Sequence, residues 1–131
     1  MSPARLPDDH LHVDQRAEGP ALVVRAVGEI DVATAPVLAQ QLTRAAETVA
    51  SPALVVADLR EIQFLGSTAI STLIVAHQQY QNQRVTLRIV VGPSVKKRLS
   101  MFGLADFLAI CLTLPEALRT SDQMTSHHPT T

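Results

Sequence analysis

The chain has one cysteine, no tryptophan and few aromatic residues of any kind. The single Cys111 excludes an internal disulfide framework and a cysteine-rich zinc site. A reducing, cytoplasmic setting fits that usage. Aromatics make up 3% of 131 residues, too little material for base-stacking platforms. No sign of charge dominates either. Eleven Lys and Arg stand against twelve Asp and Glu, for a net charge of −1. A general electrostatic grip on nucleic acid or on an anionic membrane is therefore not expected. No apolar run approaches the roughly 18 residues that a bilayer-spanning helix needs. The opening MSPARLPDDHLHVDQ lacks the apolar stretch of a signal peptide. These absences lead to the expectation of a cytoplasmic domain without membrane insertion.

Hydrophobic residues make up 47% of the chain, enough to build one core at this length. Residues 1–9 and 120–131 are polar and aperiodic, and both are expected to be flexible tails around a domain at 10–119. Inside it, strand and helix signals alternate. His10 to Ala17 and the valine-rich Ala21 to Val27 read as strands joined by a turn at Glu18-Gly19-Pro20. A helix is expected from Thr34, with Pro36 just inside it and Ser51-Pro52 closing it. Its buried face would carry Leu38, Leu42, Ala45 and Val49. Ala53 to Leu59 reads as a central strand, Arg60 to Gly66 as a loop, and Ser67 to about Gln81 as a helix. That helix is expected to be buried over its first half and to emerge into water over HQQYQNQ. A strand at 85–91, a helix at 94–101, a strand at 107–112 and a helical turn at 115–119 complete the chain. The expected fold class is α/β: a mixed sheet of about five strands, with a parallel core and an N-terminal antiparallel hairpin, packed with about four helices.

The most informative stretch is DLREIQFLGSTAISTLIVAH, Asp58 to His77. It places Ser67 and Thr68 at the entry to a helix, where the first N–H groups lack intrahelical partners. One reading is a helix cap, in which the Ser67 hydroxyl satisfies an orphan donor. The other is a phosphoacceptor, because the N–H groups and dipole of a helix start favour negative charge. A hydrolase nucleophile elbow is not matched: Ala69 stands where G-x-S-x-G needs its second glycine. His77 on the same helix lies roughly 15 Å from Ser67, too far to act as its base. No enzyme activity is expected. Gly92 to Lys97 lacks P-loop spacing. Lys96, Lys97 and Arg98 form a solvated helix face or a rim for an acidic partner. Met101 and Phe102 are either an exposed apolar contact or a cap on the core. His10 and His12 share a strand face without a third ligand, so no metal site is expected, and Cys111 reads as a small core residue.

Three segments together resemble the STAS domain, in particular the bacterial anti-sigma factor antagonist family. The first is Asp58-Leu59 with Ile62, Phe64, Leu65, Gly66, Ser67, Thr68, Ala69 and Ile70. The second is Gly28-Glu29-Ile30-Asp31, and the third runs from Pro93-Ser94-Val95-Lys96 to Gly103-Leu104. The resemblance implies a STAS fold and a protein-binding switch without a cofactor. The implied partner is an anti-sigma factor that is also a serine kinase of the GHKL type, and binding it releases a sigma factor. Phosphorylation by that kinase turns the antagonist off, and a phosphatase reverses it. The family's phosphoserine falls on Ser67, with Thr68 adjacent. Glu29, Asp31, Thr34, Gly66, Ser67 and Thr68 are the implied partner-binding residues. The sequence departs from the family pattern at two places: Gly66 replaces an acidic residue, and Ala69 replaces a glycine. The alternative function for the same fold is an accessory subunit of a bacterial lipid-transport ABC system.

Overall fold

The computed structural model describes residues 10–49 and 53–119. The two expected tails and the helix stop at Ser51-Pro52 lie outside the described residues. Strands β1 (Leu11–Glu18) and β2 (Ala21–Gly28) form the antiparallel hairpin, with Leu11 opposite Gly28 and Glu18 opposite Ala21. Strands β3 (Ala53–Ile62), β4 (Val85–Val90) and β5 (Ile110–Cys111) follow in parallel, and the sheet order is β1-β2-β3-β4-β5. The helices are α1 (Ala35–Thr48), α2 (Ser67–Asn82), α3 (Pro93–Met101) and two single turns, α4 (Leu104–Phe107) and α5 (Leu114–Ala117). The mixed α/β sheet is the one the alternation of patterns leads to.

Period-two alternation divides the sheet into two faces. Val24, Ala26, Val55, Ala57, Leu87 and Ile89 point to the main core, where Leu38, Leu42 and Ala45 of α1 and Ala69, Leu73 and Ala76 of α2 cover them. Val23, Val56, Val90 and Cys111 point the other way and meet Ala117 of α5. Arg88 lies on this second face, 4% exposed, and its guanidinium donates to the Ala117 and Arg119 carbonyls. Those bonds tie the last helical turn to the sheet. Burial lowers the pKa of Arg88 from its ordinary value.

Four expectations need correction. Arg60, Glu61 and Ile62 are strand, not loop. The register shifts between Arg25↔Asp58 and Val27↔Glu61, so β3 carries one extra residue opposite Ala26. This bulge rephases the strand: Leu59 and Ile62, three apart, both face the main core. The last strand is only Ile110–Cys111, because residues 104–107 form a helical turn and Ala109 follows with φ 53°. With that turn the helices number five among the described residues, in line with the expected number of about four. The first half of α2 is not buried all round: Val75 is 50% exposed. Its second half does not simply emerge into water either. Tyr80 is buried on the same stripe as Ala69, Leu73 and Ala76, and its hydroxyl donates to the Leu42 carbonyl of α1 at 2.6 Å. Burial pushes the Tyr80 phenol well above its usual pKa.

Gly28 is the residue whose replacement the backbone tolerates least. Its φ is +123°, and a Cβ there would stand 2.1 Å from the His10 carbonyl oxygen. That same oxygen accepts the Glu29 N–H at 2.7 Å. Gly19 in the hairpin turn also has positive φ, +60°, but open space around it. Urea unfolding is therefore expected to show Gly28→Ala destabilised by at least about 2 kcal/mol, and Gly19→Ala by about 1 kcal/mol. Equal losses at the two positions would contradict the close approach. Tyr80→Phe is expected to lose about 1 kcal/mol and Tyr80→Ala about 3–5 kcal/mol, measured the same way.

Candidate functional site

Beyond the bulge, β2 and β3 run in parallel to Gly28 and Ile62 and release two loops at the same end of the sheet. Ligand sites of open α/β sheets lie at this carboxyl end of the strands. The first loop is Glu29 to Thr34, and the second is Gln63 to Gly66. Between them lies an open cleft of about 800 Å³. Glu29, Asp31, Gly66, Ser67 and Thr68 line it. Five of the six expected site residues therefore meet in one place.

Thr34, the sixth, lies beneath the cleft and is fully buried. It sits at the helix cap position, but its hydroxyl makes no capping bond. Instead the Oγ1 donates to the Glu29 carbonyl at 2.8 Å and accepts the Asp31 N–H at 2.9 Å. Asp31 closes the turn that leads into the helix: its Oδ1 accepts the Ala33 and Thr34 N–H groups, both at 2.9 Å. The Thr34 N–H bond in particular holds the Asp31 carboxyl below its ordinary pKa. The loop is thus closed on itself, with the Asp31 carboxylate ionised at neutral pH and the Glu29 side chain in solvent.

Across the cleft, α2 begins without a side-chain cap. Gly66 is the cap residue, in extended conformation, and Ser67 is the first helical residue. Of the two readings of Ser67 the helix cap is corrected: Ser67 stands one position further along, and its hydroxyl is exposed and turned to no hydrogen-bond partner among the described residues. The first intrahelical bond is Ile70 N–H to the Gly66 carbonyl at 3.0 Å, which leaves the N–H groups of the first turn open. Thr68 is half-buried, and its carbonyl accepts the Thr72 hydroxyl. His77 packs its ring against Phe107, with centroids 4.9 Å apart.

Sequence reasoning missed the apolar and acidic rim. Val32, 79% exposed, and Phe64, 60% exposed, also line the cleft. So does Glu61, which the bulge turns outward when it brings Ile62 into the core. Glu61 had a usable signal, the three-residue spacing from Leu59 to Ile62. Phe64 had none, since nothing local to the connection between β3 and α2 fixes whether its ring turns inward or out. In the middle of β3, Asp58 is 2% exposed and pairs with the Arg60 guanidinium at 2.8 Å. Burial opposes its ionisation, but the bonds and charge of Arg60 outweigh it and hold the carboxyl below its usual pKa.

The comparisons with known proteins agree with this geometry. The family model for the STAS domain matches residues 12–117. A Mycobacterium tuberculosis protein, provisionally named anti-anti-sigma factor Rv2638, is 29% identical over 113 residues, covering 86% of this chain and 76% of that protein. The crystal structure of an anti-sigma factor antagonist from Mycobacterium paratuberculosis superposes with a TM-score of 0.73 at 27% identity, over 84% of this chain and 92% of that one. The anti-sigma factor antagonist SpoIIAA in its unphosphorylated form shares the fold, with a TM-score of 0.65 at 15% identity over 88% of this chain and 97% of that one. The family model spans nearly all of the described residues, so the chain belongs to the STAS-domain family, and the members it resembles are anti-sigma factor antagonists.

Proposed function

We propose that this STAS domain is an anti-sigma factor antagonist that works in the cytoplasm. It binds an anti-sigma factor of the GHKL serine-kinase type at the cleft and thereby releases a sigma factor. The kinase phosphorylates Ser67, which ends the binding, and a phosphatase restores it. The observation that carries this reading is the Ser67 hydroxyl: exposed, uncapped, first in α2, and on the rim of a cleft that Glu29 and Asp31 share. Thr68, the neighbouring hydroxyl, is half-buried and the poorer acceptor. Thr34 acts as a positioning residue through its bonds to Glu29 and Asp31.

Two opposing effects explain why a phosphate here would switch binding without unfolding the domain. The open N–H groups of the first turn of α2 would hold a phosphate locally. The same phosphate adds about −1.5 to −2 charges to a rim that already carries Glu29, Asp31 and Glu61. The free protein tolerates the group, while a partner shaped to the unmodified rim loses contact and meets added charge. Gly66, in place of an acidic residue, removes one further repulsion beside the acceptor.

In calorimetric titration against the purified anti-sigma factor, Ser67→Asp is expected to bind at least tenfold more weakly, about 1.4 kcal/mol. Ser67→Ala is expected to bind but to take up no phosphate, whereas Thr68→Ala still takes it up. Phosphorylation lost in Thr68→Ala and kept in Ser67→Ala would move the acceptor by one residue. Equal affinities of wild type and Ser67→Asp would remove Ser67 from the interface. Recovery of an ABC ATPase instead of an anti-sigma factor would favour the accessory-subunit function.

The Asp31 carboxyl titrates below its unfolded value, so its contribution is complete above the ordinary carboxylate pKa and is lost as pH falls through the lower folded pKa. Asp31→Ala is therefore expected to lower both the melting midpoint and the anti-sigma affinity at neutral pH. The wild-type midpoint should hold its Asp31 share from neutral pH down to the unfolded carboxylate range. If Asp31→Ala melts and binds as wild type does, the closed loop is dispensable.

A further inference from the structure

All three phenylalanines of the chain are on its surface: Phe64 at 60%, Phe102 at 68% and Phe107 at 45% exposure. Single exposed apolar residues are ordinary, but a contiguous group marks an interaction surface. Two of the three are joined. The Arg98 guanidinium of α3 lies over the Phe64 ring, 5.2 Å from its centroid. Arg98 and Phe102 line one small hollow with Leu65, Ile70, Val95 and Leu99. Met101, 73% exposed, extends the group at the end of α3.

This strip is continuous with the Ser67 cleft through Phe64, which lines the cleft and lies against Gly66. A Cβ at residue 66 would stand 2.9 Å from Phe64 Cε2. The ring thus occupies the space where any side chain before Ser67 would begin. The charge changes sign along the way. The cleft is rimmed by Glu29, Asp31 and Glu61, whereas α3 carries Lys96, Lys97 and Arg98 with no acidic residue. Among the described residues none of these three cations has an ion-pair partner.

We propose that Phe64, Arg98 and Phe102 form a second docking subsite for the anti-sigma factor, fitting a partner surface that offers an apolar socket beside a carboxylate. The subsite rests on the antagonist function proposed above. Aromatic and arginine side chains are the usual anchors of such contacts, because they bring large area and a directed charge to a desolvated centre. The unpaired cations select an acidic partner surface, and the Phe64 ring joins the two halves of the interface.

The test is titration of the purified anti-sigma factor with wild type, Phe102→Ala, Arg98→Glu and Ser67→Asp, at low and high salt, with melting curves for each. Phe102→Ala and Arg98→Glu are each expected to weaken binding at least tenfold while keeping the wild-type midpoint. The Arg98→Glu loss is expected to shrink at high salt. Either variant binding as wild type while Ser67→Asp binds weakly would overturn the subsite and leave the antagonist function standing. No binding by wild type would overturn both. Sedimentation of wild type with phosphatidylglycerol vesicles, lost in Arg98→Glu without a change in anti-sigma affinity, would overturn the subsite in favour of a lipid surface.

Discussion

The pairing of β2 with β3 past the bulge is the constraint on which the site depends. One extra residue opposite Ala26 puts Leu59 and Ile62 on the same face and brings Gly28 level with Ile62. Only with that register do the Glu29–Thr34 loop and the start of α2 leave the sheet side by side. Gly28 makes the register compatible with the hairpin, since its missing Cβ lets the His10 carbonyl approach and accept the Glu29 N–H. A strand irregularity and a glycine thus set the separation between the acidic loop and the exposed serine.

The two sides of the cleft are built on opposite principles. The loop side is closed: Thr34 and Asp31 satisfy one another and the backbone around them, and Thr34 is fully buried. The helix side is open: α2 has no side-chain cap and presents free N–H groups next to the Ser67 hydroxyl. A closed acidic loop facing an uncapped helix start suits the phosphorylation of Ser67 proposed above. The folded state does not depend on the Ser67 hydroxyl, so modifying it can alter what docks without altering what folds. Stability comes from elsewhere, from the Leu and Ala stripes of α1 and α2 and the Tyr80 bond between them.

Much of this was legible in the residues. The alternation of valine runs with i, i+4, i+7 stripes led to the sheet, its order of elements and the two long helices. The GEID loop and the Ser67-Thr68 pair were expected on one face because three separate segments matched one family pattern in order, and residues of both line the same cleft. What stayed hidden shares a physical cause: it depends on contacts between segments distant in sequence. The bulge follows from pairing with β2, so Arg60 to Ile62 looked like loop when read alone. Tyr80 looked solvated among glutamines because its partner, the Leu42 carbonyl, lies 38 residues away. Thr34 read as a cap and a contact residue, whereas Asp31 closes the turn and Thr34 lies beneath it. Phe102 was open between an exposed contact and a cap on the core, Phe64 carried no expectation of burial or exposure, and the exposure of both follows from where the loop and α3 lie.

The most direct measurement is the intact mass of the chain after incubation with ATP and the anti-sigma kinase, with the affinity for that kinase determined before and after. The account predicts the gain of one phosphate, mapped to Ser67, together with loss of binding. Tight binding that persists with Ser67 fully phosphorylated would contradict it.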